Sequence, residues 1–118
     1  YVSDPKYEID IFLGTGGGPE GVLAASALDA YDCHFQGRFI FDNNKNIKEA
    51  NEMGITDLSK KYELNEIIKG DSIFCATGIT NNEVTEGIDI KGDHYVSETF
   101  ITHKNSNIKE IMKKTYPI

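Results

Sequence analysis

The chain has 118 residues, a formal net charge of −7, 39% apolar residues and 26% charged ones. Residues 1–118 read as a single α/β domain, long enough to bury a core, with residues 1–6 as a linker. The acidic balance argues against non-specific nucleic-acid binding, which rests on cationic side chains, and against an anionic membrane surface. No apolar run is long enough to span a bilayer, and no signal peptide is visible.

The first residues, Tyr1 to Lys6, read as a linker entered from a longer protein, of which this chain is a C-terminal piece. Tyr7 to Leu13 reads as a strand. It is apolar on both faces after Ile9, the pattern of a central parallel strand. Leu13-Gly14-Thr15-Gly16-Gly17-Gly18-Pro19-Glu20-Gly21 then makes a glycine-rich junction before a helix over Pro19 to about Tyr31. Glycines allow a sharp turn and a close ligand approach, and Pro19 suits a first helical turn. Free N–H groups and the helix dipole favour an anion at that end. Glu20 could hold a cation against a bound phosphate.

Three readings of the junction stay open: a phosphate or phospho-sugar site with Glu20 as a metal ligand, a dinucleotide loop, and a plain turn. A P-loop is excluded, because no Gly-Lys-Ser/Thr follows. Gly16-x-Gly18-x-x-Gly21 matches the dinucleotide fingerprint, and Asp42 lies about twenty residues further on. The register is late, however, with the helix starting inside the match. The helix beyond its first turn, rich in Ala and Ser, reads as core packing.

His34 to Phe41 reads as a second strand, interrupted at Gln36-Gly37-Arg38 by a bulge or close contact. Arg38 is the only arginine. Clamps of several guanidinium forks are therefore not available, and an acidic chain binding a sugar phosphate needs divalent cations. Arg38 itself reads as a partner for an internal carboxylate or backbone carbonyls. Cys33 and Cys75 are isolated and lack zinc spacing, which suggests a reducing, cytoplasmic compartment. Asn46 caps a short helix over Ile47–Met53, closed by Gly54 in the left-handed region. A second short helix, Leu64–Lys69, closes the same way at Gly70.

Ser72 to Thr77 reads as the most strongly buried strand, with Cys75 a buried thiol. Gly78 breaks it, and Thr77 and Thr80 could offer hydroxyls to a phosphate at the carboxyl end of the sheet. Asn81 to Asp93 reads as polar loop and His94 to His103 as a strand. At the end, Ile108, Ile111, Met112 and Thr115 have helical spacing, slightly favoured over strand alternation. Strand–helix alternation argues for a three-layer α/β/α sandwich with a mainly parallel sheet.

Four stretches in order carry a family resemblance: Gly14 to Ala25, Phe35-Gln36-Gly37-Arg38-Phe39, Glu52-Met53-Gly54-Ile55 and Phe74-Cys75-Ala76-Thr77-Gly78-Ile79-Thr80. Together they resemble class II (GlpX-type) fructose-1,6-bisphosphatases, from about Ile9 nearly to the end. The resemblance implies the second lobe of the lithium-sensitive sugar phosphatase fold, with a last strand paired to its predecessor through Lys104–Asn107, making the sheet mixed. Lys109, Lys113 and Lys114 would suit a guarded edge strand.

The resemblance also implies Mn²⁺- or Mg²⁺-assisted hydrolysis of the 1-phosphate of fructose 1,6-bisphosphate, for gluconeogenesis. Glu20 matches the family's metal-binding glutamate, and Gly17 matches a backbone contact to substrate. Gly18 replaces a common alanine. The family's remaining metal carboxylates and its catalytic residues belong to upstream segments, so no catalytic residue is expected here. The expected partner is a missing N-terminal lobe, the expected assembly a homo-oligomer, and the fragment alone is expected to be inactive. A Rossmann-like dinucleotide-binding domain and a non-catalytic regulatory lobe are the alternatives.

Overall fold

The computed structural model describes residues 1–31 and 33–118. The chain opens with a 3-10 turn, Pro5–Tyr7, capped by the Asp4 side chain. Residues 8–17 then run without ladder partners to α1, Gly18–Leu28. The expected strand over Tyr7–Leu13 is absent. Ile11, Phe12 and Leu13 are 71%, 74% and 84% exposed. A run apolar on both faces needs neighbours on both edges and cover on both sides, and among the described residues it has neither.

The second expected strand, His34–Phe41, shrinks to β1, Gln36–Gly37. It pairs antiparallel with β2, Tyr62–Glu63, and Gln36 Nε2 donates to Glu63 Oε1 at 2.6 Å. Phe39 packs its ring edge-on to Tyr62, yet Phe39 and Ile40 remain exposed. α2 spans Asn44–Glu52 and begins earlier than Ile47, because Asn43 rather than Asn46 is its cap. The Asn43 side chain accepts the Asn46 N–H at 2.9 Å, the usual role of an Asn N-cap. α3, Leu64–Ile67, carries a reciprocal capping box between Glu63 and Glu66. Gly54 follows α2 at φ 86°, as expected of a left-handed helix stop, whereas α3 ends at Ile67, before the expected Lys69, with extended Ile68 as its C-cap, so Gly70 at φ 83° turns the chain beyond the helix rather than closing it.

The main sheet is built from β3 (Ile73–Thr77), β4 (Asp89–Lys91), β5 (His94–His103) and β6 (Ile108–Pro117). β5 is its centre. β6 lies along one side of β5, and β3 and β4 share the other. β6 extends over ten residues through the turn at Lys104–Asn107, with Asn107 at φ 51°. The hairpin implied by the resemblance thus overrides the helical spacing of Ile108, Ile111, Met112 and Thr115. Its cross-strand ring stack, Tyr95 on Tyr116 at 5.1 Å, has no helical counterpart.

Every ladder among the described residues is antiparallel. The mainly parallel sheet is therefore not formed, since two strands that would have built it, 7–13 and 34–41, are mostly unpaired. β4 fell inside the stretch read as polar loop. Its signal was the alternation of Ile88 and Ile90 before Gly92-Asp93, a two-residue hairpin turn with Gly92 at φ 64°.

α1 lies on one face of the sheet. Thr102, 1% exposed, donates its hydroxyl to the carbonyl of Ala27 at 3.4 Å, and Ala25 is fully buried. Phe74 and Phe100 meet edge-to-face on the same side. The opposite face, with Ile73, Cys75, Ile90 and Met112, is open to solvent. Consequently β3 is largely exposed and Cys75 is an exposed thiol, in contrast to the buried strand and buried thiol read from their apolar neighbours. Ala25 and Ala50 are the buried apolar residues among those described. The sequence had the length for a larger core, but not the elements to close over it.

Candidate functional site at the start of helix α1

The glycine-rich junction enters α1 through Gly17, whose extended backbone (φ −67°, ψ 155°) makes it the N-cap. Gly17 has no side chain to cap the helix, and Pro19 lacks an N–H, so the first turn keeps the N–H groups of Gly18 and Glu20 free of helical partners. Gly21 N–H closes the first helical bond to Gly17 C=O at 3.1 Å. A Cβ on Gly17 would collide with Oε2 of Glu20. Absence of that Cβ lets the carboxylate fold back over the helix start. Gly17 and Glu20, the two residues singled out in the sequence, thus form one exposed corner.

The orientation of α1 sets where this corner lies. Its C-terminal end touches the beginning of β3: Asp29 takes an ion pair from Lys104 at 3.3 Å, next to His103, which pairs with Ile73. Helix and strand therefore run in opposite directions. The 11-residue helix spans about 16 Å and the 5-residue strand a similar length. The Gly17–Glu20 corner accordingly lies toward the carboxyl end of β3.

That end carries a tightly bonded loop over residues 78–88. Asn82 is its hub. Its Oδ1 accepts the N–H groups of Val84 and Thr85 at 2.8 and 2.9 Å, and its Nδ2 donates to Thr85 Oγ1 at 3.0 Å. Gly87 N–H donates to Asn81 Oδ1 at 2.8 Å, and Ile88 N–H to Ile79 C=O at 3.2 Å. The loop is moored to the sheet by Glu86, whose N–H donates to Glu98 Oε2 at 2.8 Å, and by Lys113, which bridges Glu86 and Glu98 at 2.7 and 2.9 Å. The Glu86 N–H, with Lys113 beside it, holds the Glu98 carboxyl below the ordinary glutamate range. The two carboxylates push the Lys113 ammonium up.

Thr77 and Thr80 do not converge on the corner as hydroxyl donors. Thr77 Oγ1 is spent on Thr99 Oγ1 at 2.8 Å, on the sheet face away from α1. Thr80 is exposed within the loop. Arg38 is exposed too and has no ion-pair partner among the described residues. Gly18 and Gly21 are already helical, so the dinucleotide fingerprint has its last two glycines inside α1, and no strand precedes Asp42 directly.

Two cavities among the described residues do not suit a sugar phosphate. One, of about 530 Å³, sits at the opposite end of α1 and is lined by Asp29, Glu63 and Asp71, with Lys104 already paired to Asp29. The other, about 350 Å³, is bounded by Ala27, Phe74, Phe100 and the 82–85 segment, with no charged group. Among the described residues no three His, Cys, Asp or Glu side chains come together as a metal site. A hard divalent cation takes six or more oxygens. The Glu20 carboxylate fits such an ion in kind but supplies only one of its ligands.

Comparison with known proteins decides the family. The family described as bacterial fructose-1,6-bisphosphatase, glpX-encoded, matches residues 1–116. The chain belongs to this family. Among curated relatives, a protein of Prochlorococcus marinus strain MIT 9515 named D-fructose 1,6-bisphosphatase class 2/sedoheptulose 1,7-bisphosphatase is 39% identical over 69% of this chain and 28% of its own length. Proteins of the same name from strains AS9601 and MIT 9303 are 38% and 36% identical with the same coverage. The glpX-family chain thus spans about 28% of the length of the relatives it matches.

Sequence reasoning found the corner and missed the 78–88 loop as an organised body. Its signal was present in Asn81-Asn82 followed by Thr85 and Gly87, side chains that bond nearby backbone in turns.

Proposed function

We propose that this chain is the C-terminal lobe of a metal-dependent fructose-1,6-bisphosphate 1-phosphatase, acting in gluconeogenesis in the cytoplasm. The family match over residues 1–116 carries this reading. It is supported by the corner that brings Glu20 against Gly17 at the anion-favouring end of α1. Glu20 serves as one ligand of Mn²⁺ or Mg²⁺, and the backbone of Gly17 contacts the sugar phosphate. Gly18 and Glu20 supply free N–H groups and the helix its dipole, so that negative charge is held without an arginine clamp. A divalent ion held by Glu20 and ligands from elsewhere would supply Lewis-acid chemistry at the phosphoryl group.

The other metal carboxylates and the catalytic groups come from a preceding lobe of the parent enzyme. In that setting, the second lobe takes the three-layer α/β/α form with a mixed sheet, and the parent assembles as a homo-oligomer. The names of the relatives favour sedoheptulose 1,7-bisphosphate as a second substrate. The test compares two proteins with fructose 1,6-bisphosphate and Mn²⁺. The 118-residue chain alone should release no phosphate. A chimera carrying it in place of the matching segment of a class 2 relative should release phosphate. Activity of the isolated chain, or a well-folded but inactive chimera, contradicts the proposal.

A further inference from the structure

β6 presents the longest bare edge among the described residues. It is bonded to β5 along its whole length, and no strand among them pairs with its other side. An edge of this length is a template for another strand. Two of its three lysines are committed inside the molecule. On the face toward α1, Lys109 Nζ stands 4.9 Å from the centre of the Tyr31 ring, and Lys113 bridges Glu86 and Glu98. Charge on the outer edge is therefore set by the other face.

That face carries Ile108, Glu110, Met112, Lys114 and Tyr116, alternate residues by the two-residue period of a strand. Glu110 and Lys114 are exposed, and neither has an ion-pair partner among the described residues. They stand equally far from Met112, on opposite sides of it. Opposite charges placed evenly about a centre make a strand complementary to itself turned through a two-fold axis. In an antiparallel pair with Met112 on Met112, Glu110 of each copy faces Lys114 of the other.

Charge closes the neighbouring registers. A shift of two residues sets Lys109 opposite Lys113 in one direction and Lys113 opposite Lys113 in the other. A shift of four sets Glu110 opposite Glu110, or Lys114 opposite Lys114. Like charges directly opposite destabilise a ladder. A one-residue slip turns one copy over and puts its α1 face beside the open face of the other. The lysines thus select one register rather than block them all.

We infer that the free edge of β6 is the contact between two copies of this chain, joined antiparallel about a two-fold axis at Met112. Their sheets then continue into one another, with both α1 helices on the same side. The inference names a surface for the homo-oligomer of the phosphatase reading and rests on that reading for its place in the parent enzyme.

Sedimentation of the 118-residue chain over a range of concentrations tests it. The native chain should form dimers. Lys114→Glu gathers four carboxylates around the axis and should weaken dimerisation at least tenfold, as should Glu110→Lys. The double exchange, Glu110→Lys with Lys114→Glu, restores both opposite-charge pairs and should restore the dimer, which separates a lost contact from a lost fold. Cross-linking is the second readout. In a Cys33→Ser, Cys75→Ser background, Met112→Cys lies on the axis and should form a disulfide between copies at least tenfold faster than Thr115→Cys, whose two copies stand about 20 Å apart. A chain that stays monomeric, a dimer indifferent to both charge reversals, a double exchange as weak as the single ones, or equal cross-linking at the two positions overturns the inference. So does an active chimera whose assembly ignores the charge reversals, the result expected if another part of the parent covers this edge; that result leaves the phosphatase reading standing. Sedimentation needs neither Mn²⁺ nor sugar phosphate, so an inactive chimera leaves the β6 contact standing in turn.

Discussion

Glycines at the two ends of this structure do opposite work. At Gly87 a Cβ would come within 2.8 Å of backbone atoms of Thr80 and Asn81, where nothing flexible can yield. Gly87→Ala should destabilise the chain by about 1–3 kcal/mol in a denaturant titration. At Gly18 a Cβ meets nothing within 4 Å, and the residue is already helical. Gly18→Ala should therefore stabilise by about 0.5–1 kcal/mol, even though Gly18 stands in the candidate corner. The same pair shows what a sequence reveals about single residues. Gly17 and Glu20 were legible as separate site residues, through the glycine-rich junction and the family resemblance; that the Glu20 carboxylate folds back over Gly17 was not. The crowding at Gly78 and Gly87 was not, because it depends on Thr85 and Thr80 folding back across the loop.

At the scale of elements, the loop after β3 depends on β5 and β6 through Glu98 and Lys113. Glu98 is held below its ordinary pKa by the Glu86 N–H and Lys113. Its contribution to stability is therefore present above the ordinary glutamate value and is lost as pH falls through the lowered one. Thermal melts from about pH 6 down to about pH 3 should show a steeper loss for the native chain than for Glu98→Gln. Identical slopes would mean that solvent screens the contact completely. One local signal did well here: Gly54 stops α2 in the left-handed region, as read, although the cap of α2 falls on Asn43 rather than Asn46, α3 ends before Gly70, and the hairpin at Lys104–Asn107 came from the resemblance against a local helical spacing. Signals that need distant partners did not. The apolar runs at 9–13 and 34–41 have strand-like composition but mostly lack the neighbours that turn composition into a ladder.

The whole molecule is more open than its mass predicts. A compact 13.1 kDa protein exposes roughly 6,400 Å², whereas this chain exposes 9013 Å². Its radius of gyration is 17.8 Å, against about 13.5 Å expected for a compact chain of this length. The excess, about 2,600 Å², is of the order of an obligate interface, and it fits a lobe that shares its core with another part of a parent enzyme. On the proposed reading, Glu20 brings one metal ligand to a site completed by that other part. The direct measurement is the Mn²⁺ requirement for phosphate release from fructose 1,6-bisphosphate by the chimera and by its Glu20→Gln form. Glu20→Gln should raise the Mn²⁺ concentration for half-maximal activity at least tenfold. An unchanged Mn²⁺ requirement in a chimera of unchanged stability would contradict that reading.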